Sequence, residues 1–259
     1  MRRFIAVLLA LASPCALAQG FAALVSPPRF ELVAKPGERL RDVIEITNAG
    51  AQAARYKLRT ADWSMDASAT VKFDDALAPG SCRPWVAIER REMQVSPGGK
   101  YRYRFEVAVP ADAPAGECRF AILLEGDDQK VDAGGVAFPV SGRLGIIVYV
   151  IVGDAQPNLA VVDSKVAKVA GETLPVVMVA NTGTAHGRLA GFLSGTDASG
   201  RKLEFTPSSL PILPGETRAI SLGVYREKDE VVKVTYPVTI SGKLEWNGKS
   251  MPFEKRFAP

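Results

Sequence analysis

Histidine is almost missing from this chain of 259 residues: it occurs once, at His186. One imidazole makes neither a zinc site nor a catalytic triad. It sits in Asn181-Thr-Gly-Thr-Ala-His-Gly187, a turn-like stretch, so it is expected at the surface. There is no G-x-S-x-G, no phosphate-binding glycine loop, no H-E-x-x-H and no C-x-x-C. The paired carboxylates Asp74-Asp75 and Asp127-Asp128 point to opposite faces if extended and are solvated if in loops. With no acid, base and nucleophile set, an enzyme is not expected, and neither is a cofactor or a metal.

Strong charge is also lacking. The formal net charge is +4, and two of those charges, Arg2 and Arg3, belong to a leader, which leaves +2. That is too close to neutral to argue for nucleic acid or a membrane surface. Helical periodicity is nearly absent, and no later run is apolar and long enough for a transmembrane helix, so no membrane insertion is expected.

The leader itself is well marked. Arg2 and Arg3 precede the apolar run Phe4 to Ala12, and Ala16-Leu17-Ala18 is an A-x-A cleavage site, so residues 1–18 read as a signal peptide for export. Cys15 lies within it. Two cysteines, Cys82 and Cys118, remain in an oxidising compartment, where an even count favours one disulfide.

Short alternating runs bounded by Gly, Pro, Asn and Asp fill the rest of the chain, the pattern of β-sandwiches. Val43 to Thr47 ends at Asn48-Ala-Gly50. Tyr101, Tyr103, Phe105, Val107 and Val109 share one face of a strand, and Arg102, Arg104 and Glu106 the other, wet face. The second half repeats the first. Val176-Val-Met-Val-Ala-Asn-Thr-Gly183 corresponds to Val43-Ile-Glu-Ile-Thr-Asn-Ala-Gly50, and the Pro214-Gly215 turn to Pro97-Gly98. Two copies of one sandwich are expected, residues 19–152 and 158–259, joined by the breaker-rich linker 153–157. Trp63, Trp85 and Trp246 are expected in the cores or between the domains.

The segment Gly134 to Val152 divides in two. Val136, Phe138 and Val140 alternate with smaller residues, whereas Ile146 to Val152 is uniformly apolar and reads as a buried strand. Alternation alone fits a strand that completes its own sheet as well as one offered to another protein.

In the order of its parts the chain resembles the periplasmic pilus-assembly chaperones, the PapD-like family of two immunoglobulin-like domains set at an angle. The parts are Ser26-Pro-Pro-Arg-Phe-Glu-Leu32, the Ile46 to Gly50 strand end, the Pro97-Gly98 turn, Val109-Pro-Ala-Asp-Ala-Pro-Ala-Gly116, the Phe120 strand and the Gly134 to Val152 segment. The resemblance implies an all-β protein of the periplasm, working in pilus or fimbria biogenesis. It implies that Val136, Phe138 and Val140 complement the unfinished sandwich of a pilin-like subunit, which is then delivered to an outer-membrane usher. It also implies that two basic residues anchor the subunit's terminal carboxylate. Arg29 matches one; the other falls on or near Gly145, where the nearest basic residue is Arg143. Pro139, inside the proposed donor strand, lacks an N–H and suits only an edge or a bulge. The competing expectation is an exported structural or adhesive protein of two such domains without chaperone activity.

Overall fold

Alternation along the Tyr101 strand has the expected outcome: Tyr103, Phe105 and Val107 are buried, while Arg102 and Arg104 face water. The computed structural model describes residues 21–127, 142–225 and 232–259, together with the backbone of 129–133 and 136–140. The leader expected at 1–18 lies outside the described residues. None of the helices among the described residues is long and apolar enough to cross a membrane.

The first sandwich contains β1 (Ala23–Ser26), β2 (Arg29–Ala34), β3 (Arg39–Asn48), β4 (Ala54–Met65), β5 (Val71–Asp74), β6 (Val86–Ile88), β7 (Glu92–Val95), β8 (Lys100–Ala108) and β9 (Gly116–Gly126). A hairpin of β10 (Gln129–Ala133) and β11 (Val136–Val140) follows, and then β12 (Arg143–Val152). One sheet has the order β1-β3-β8-β6. The other runs β2-β12-β9-β4, with β5 and β7 both pairing with β4. Pro27-Pro28 supplies no N–H to either ladder, and there the chain crosses from one sheet to the other. Phe30, Ile44, Ile46, Leu58, Phe105, Phe120, Ile122, Ile146, Val148 and Val150 meet between the sheets. Cys82 and Cys118 are bonded across the sandwich, closing a loop of sequence separation 36. On the chain-entropy model such a link contributes about 3–4 kcal/mol.

The second sandwich contains β13 (Leu159–Val169), β14 (Glu172–Asn181), β15 (Leu193–Thr196), β16 (Lys202–Pro207), β17 (Thr217–Val224), β18 (Val238–Trp246) and β19 (Lys249–Phe257). Its strands follow one continuous path, β13-β14-β17-β16-β15-β18-β19. The path folds over at β17, whose residues Thr217 to Ser221 pair with β14 and Leu222 to Val224 with β16. Val177, Val179, Phe205, Ile220, Leu222 and Ile240 fill the space inside. Trp246 belongs to this core, Trp85 packs against the first, and Trp63 lies between the domains.

The internal repeat has a physical basis in two buried asparagines. Asn48 Nδ2 donates to the carbonyls of Gln52 (2.7 Å) and Val95 (3.0 Å), and its Oδ1 accepts from the Gly50 N–H (2.9 Å). Asn181 Nδ2 donates to Ala185 and Ile212 (both 2.8 Å), and its Oδ1 accepts from Gly183 (2.9 Å). Each backbone carbonyl also accepts from the glycine of the matching Pro-Gly turn, Gly98 or Gly215. Each asparagine thus stitches a strand end to the turn that opens a later strand, so it does more than terminate its own strand. An apolar residue in either place would leave several buried backbone groups unpaired.

Candidate functional site

One strand edge of the first sandwich is only partly used. β12 lies between β9 and β2, but β2 pairs with it only from Ile147 to Val152. Ile146, Val148 and Val150 are fully buried, as expected of the uniformly apolar piece. β11 pairs with β10 alone, Val136 opposite Ala133, Phe138 opposite Val131 and Val140 opposite Gln129. Along the β2 side, therefore, the backbone of β12 from Arg143 through Ile146 meets no strand among the described residues. The side chains of Val136, Phe138 and Val140 lie outside the described residues.

Arg29 opens β2, opposite Ile147. Its half-exposed side chain pairs with Glu31, Nε to Oε1 at 3.0 Å. Arg143 stands four residues before Ile147, roughly 13 Å away along the strand. It pairs with Glu125 (2.6 Å), to which Arg59 also binds (2.9 Å). The two arginines are thus on one sheet but not together. Position 145 is closed to a longer side chain, because a Cβ there would lie 2.2 Å from the Phe73 ring.

The same outer face of the sheet meets the second domain. Ala61, Trp63, Ala121, Leu123 and Tyr149 surround Leu213, and Arg218 donates to the Asp66 carbonyl (3.0 Å). Beside this contact lies a charged cluster that the sequence did not disclose. His186, expected at the surface, is only 4% exposed. The reason is its partner: the wholly buried carboxylate of Glu117 accepts from the His186 backbone N–H (2.7 Å) and meets Nδ1 at 2.5 Å. The imidazole stacks on Tyr149, with ring centres 3.8 Å apart.

Glu31 Oε1 lies 3.5 Å from His186 Nε2 and 3.7 Å from Arg188 Nε. Arg188 also donates to the Tyr149 hydroxyl (3.3 Å) and the Ser209 carbonyl (2.5 Å). Arg119 completes the group, 3.9 Å from Glu117 and over the Trp63 ring. The sequence offered one signal for this side of the cluster: Arg29 and Glu31 flank the core residue Phe30 and so share the outward face.

The hydrogen bond from His186 holds the Glu31 carboxyl down at about 2 against its burial, helped by the charges of His186, Arg29 and Arg188. Burial is the largest single influence on His186 and would lower it. The hydrogen bonds and charges of Glu117 and Glu31 together outweigh burial and raise it above its ordinary 6.5. Burial pushes the Tyr149 hydroxyl up to about 12, so it stays neutral.

The signs give a pH window. A raised histidine contributes stability that is complete below 6.5 and lost as pH rises through the folded value. A lowered carboxyl contributes stability that is complete above 4.5 and lost as pH falls toward 2. Denaturation midpoints are therefore expected to be highest between about pH 4.5 and 6.5 as far as these groups decide them. A pH series of urea unfolding on the wild type and His186→Gln checks this. The fall on the alkaline side should vanish in the variant; its persistence would assign it elsewhere.

No protein-family model matches the chain, and no curated protein matches it in sequence. Among solved structures it is similar to the CupB2 chaperone of Pseudomonas aeruginosa, at 12% identity and TM-score 0.47, over 91% of this chain and 100% of that one. It is similar to the Salmonella enterica SafA pilin in complex with the SafB chaperone, at 12% identity and TM-score 0.49, over 93% and 98%. It is also similar to the CsuC-CsuE chaperone-tip adhesion subunit complex of Acinetobacter baumannii, at 13% identity and TM-score 0.47, over 92% and 100%. At such identities, what the protein does has to be read from its own strands and side chains.

Proposed function

We propose that this protein is a periplasmic chaperone of pilus or fimbria biogenesis that holds a pilin-like subunit by lending it a strand and hands it to an outer-membrane usher. The observation that carries the reading is the edge of β12 from Arg143 through Ile146, which meets no strand on its β2 side among the described residues, with β11 before it paired there with β10 alone. The Ile147 N–H donates to the Pro28 carbonyl on that side (3.3 Å). By the two-residue alternation of a strand, the N–H and C=O groups of Gly145 and Arg143 face the same way. Such an edge is a template for pairing with another chain. A subunit lacking one strand of its own sandwich needs what this edge can give: main-chain hydrogen bonds, and alternating apolar side chains for its groove. Burying Val136, Phe138 and Val140 there would contribute about 1.5–3 kcal/mol each. The role is binding and transfer, not catalysis.

Arg29 stands where β2 begins, so a strand arriving along the free edge has to end beside it. A chain terminus with its carboxylate is the natural group to meet a guanidinium there. Arg143, further along the same edge, is the other basic residue within reach of that strand. Arg29→Ala is expected to lower subunit retention roughly tenfold or more, the loss of a hydrogen bond to a charged group. The unfolding midpoint should hardly move, because the one ion pair lost is half-exposed. Retention measured by co-purification from the periplasm decides the point, and unchanged retention would remove Arg29 from the site.

A further inference from the structure

The hairpin of β10 and β11 leaves the first sandwich through a neck of two glycines. Gly126 ends β9 and Gly142 immediately precedes β12, and the Gly126 N–H donates to the Gly142 carbonyl (3.1 Å). Neither glycine has a positive φ, so the backbone alone would accept a side chain at both places. The space would not. A Cβ on Gly142 would lie 2.0 Å from Cβ and Cγ of Phe21, and one on Gly126 would lie 2.6 Å from the Phe21 ring. The three atoms nearest to either Cβ all belong to Phe21. The ring packs against the first core and stands edge-on to Tyr56, with ring centres 6.1 Å apart. Its neighbour Ala22 accepts at its carbonyl from the Ala49 N–H (2.8 Å), and Ala23 to Ser26 pair with β3. The segment around Phe21 is thus anchored to one sheet and lays its ring over the neck in the other.

Glycine leaves a chain more conformational freedom than any other residue. An aromatic ring laid over strand glycines supplies the packing that they lack. Among the described residues β11 pairs with β10 alone, and no ladder joins the hairpin to either sheet. We propose that Phe21 is a positioning residue for the donor strand: its ring, seated in the slot of Gly126 and Gly142, fixes the neck and so the course of β11 into the free edge of β12. This rests on the strand-donation reading and adds to it the residue that aims the strand. A strand whose course is set before its partner arrives loses less freedom on binding, and capture is tighter for it.

The test uses the full mature protein, measured first without any partner. Amide exchange at Gly126 reads the neck, and exchange at Ile122, between β4 and β12, reads overall stability. Phe21→Ala should raise the ratio of Gly126 to Ile122 exchange roughly tenfold, whereas a ring that only completes the core would speed Ile122 at least as much. Phe21→Leu, which refills part of the slot, should fall between. Gly142→Ala should reproduce Phe21→Ala by expelling the ring, and the double variant should be no worse than either, because both act through one slot. An unchanged ratio in Phe21→Ala, or effects that add in the double variant, would overturn the proposal. Co-purification of a pilin-like subunit then separates the two readings, and retention should fall roughly tenfold in Phe21→Ala. If the wild type captures a subunit and Phe21→Ala captures it equally well, strand donation stands and the role of Phe21 falls. If the exchange ratio behaves as expected but the wild type captures no subunit, Phe21 still fixes the hairpin and strand donation falls.

Discussion

Glu117→Ala is expected to destabilise the protein by about 3–5 kcal/mol, the range for breaking a buried ion pair by removing one partner. The Glu117 carboxylate is wholly buried, binds both the ring and the backbone N–H of His186, and lies against Arg119. Its own backbone N–H donates to the Thr184 carbonyl (3.0 Å), so β9 is tied to the second domain at one residue by main chain and side chain together. Without the carboxylate, His186 would be left stacked on Tyr149 and Arg119 over Trp63 with no buried counter-charge. Urea unfolding should show the loss, and should also separate the melting of the two domains, which this contact helps to couple. Glu117→Gln keeps the shape and some hydrogen bonding, so it should fall between wild type and Glu117→Ala. A loss below about 1 kcal/mol would put Glu117 in the class of surface ion pairs, and its burial would then carry no weight.

Phe138→Asp is expected to abolish the capture of a pilin-like subunit, read by co-purification against the wild type. A carboxylate in place of an apolar side chain would have to enter the subunit's groove without a partner. That costs several kcal/mol, a loss of about 10³-fold or more in affinity. The fold should survive, because β11 pairs only with β10 and contributes to neither sandwich sheet. Phe138→Leu, which keeps an apolar side chain, should retain most of the capture. If the wild type captures a subunit and Phe138→Asp captures it equally well, Phe138 is not a donor residue.

Most of the sandwich was readable because alternation, Pro-Gly turns and the Asn-x-Gly strand ends are local signals that pairing then obeys. The repeat between Asn48 and Asn181 was visible as letters, and the structure supplies its cause in the carbonyls the two amides hold. The division of Gly134 to Val152 was also visible, because uniform apolarity marks a strand buried on both faces and alternation does not. The charged cluster was not readable. Glu31, Glu117 and His186 are far apart in the chain, and nothing local to His186 predicts that β9 will bring a carboxylate to it. Its glycine-flanked turn has the composition of an exposed loop, and the docking of the domains overrides that composition. The nearness of Glu31 to Arg188 has the same origin, since one belongs to each domain. Arg143 is the basic residue nearest in sequence to position 145, and its half-exposed side chain pairs with Glu125.

On the proposed function the edge of β12 from Arg143 through Ile146 receives a strand from another protein. Amide hydrogen exchange over that edge is the decisive measurement, comparing the free protein with the protein loaded with a pilin-like subunit. The amides of Arg143 and Gly145 are expected to exchange freely alone and to become protected in the complex, while those of Ile147 to Val152, already between β2 and β9, change little. A bound subunit that leaves exchange at Arg143 and Gly145 unchanged would contradict it.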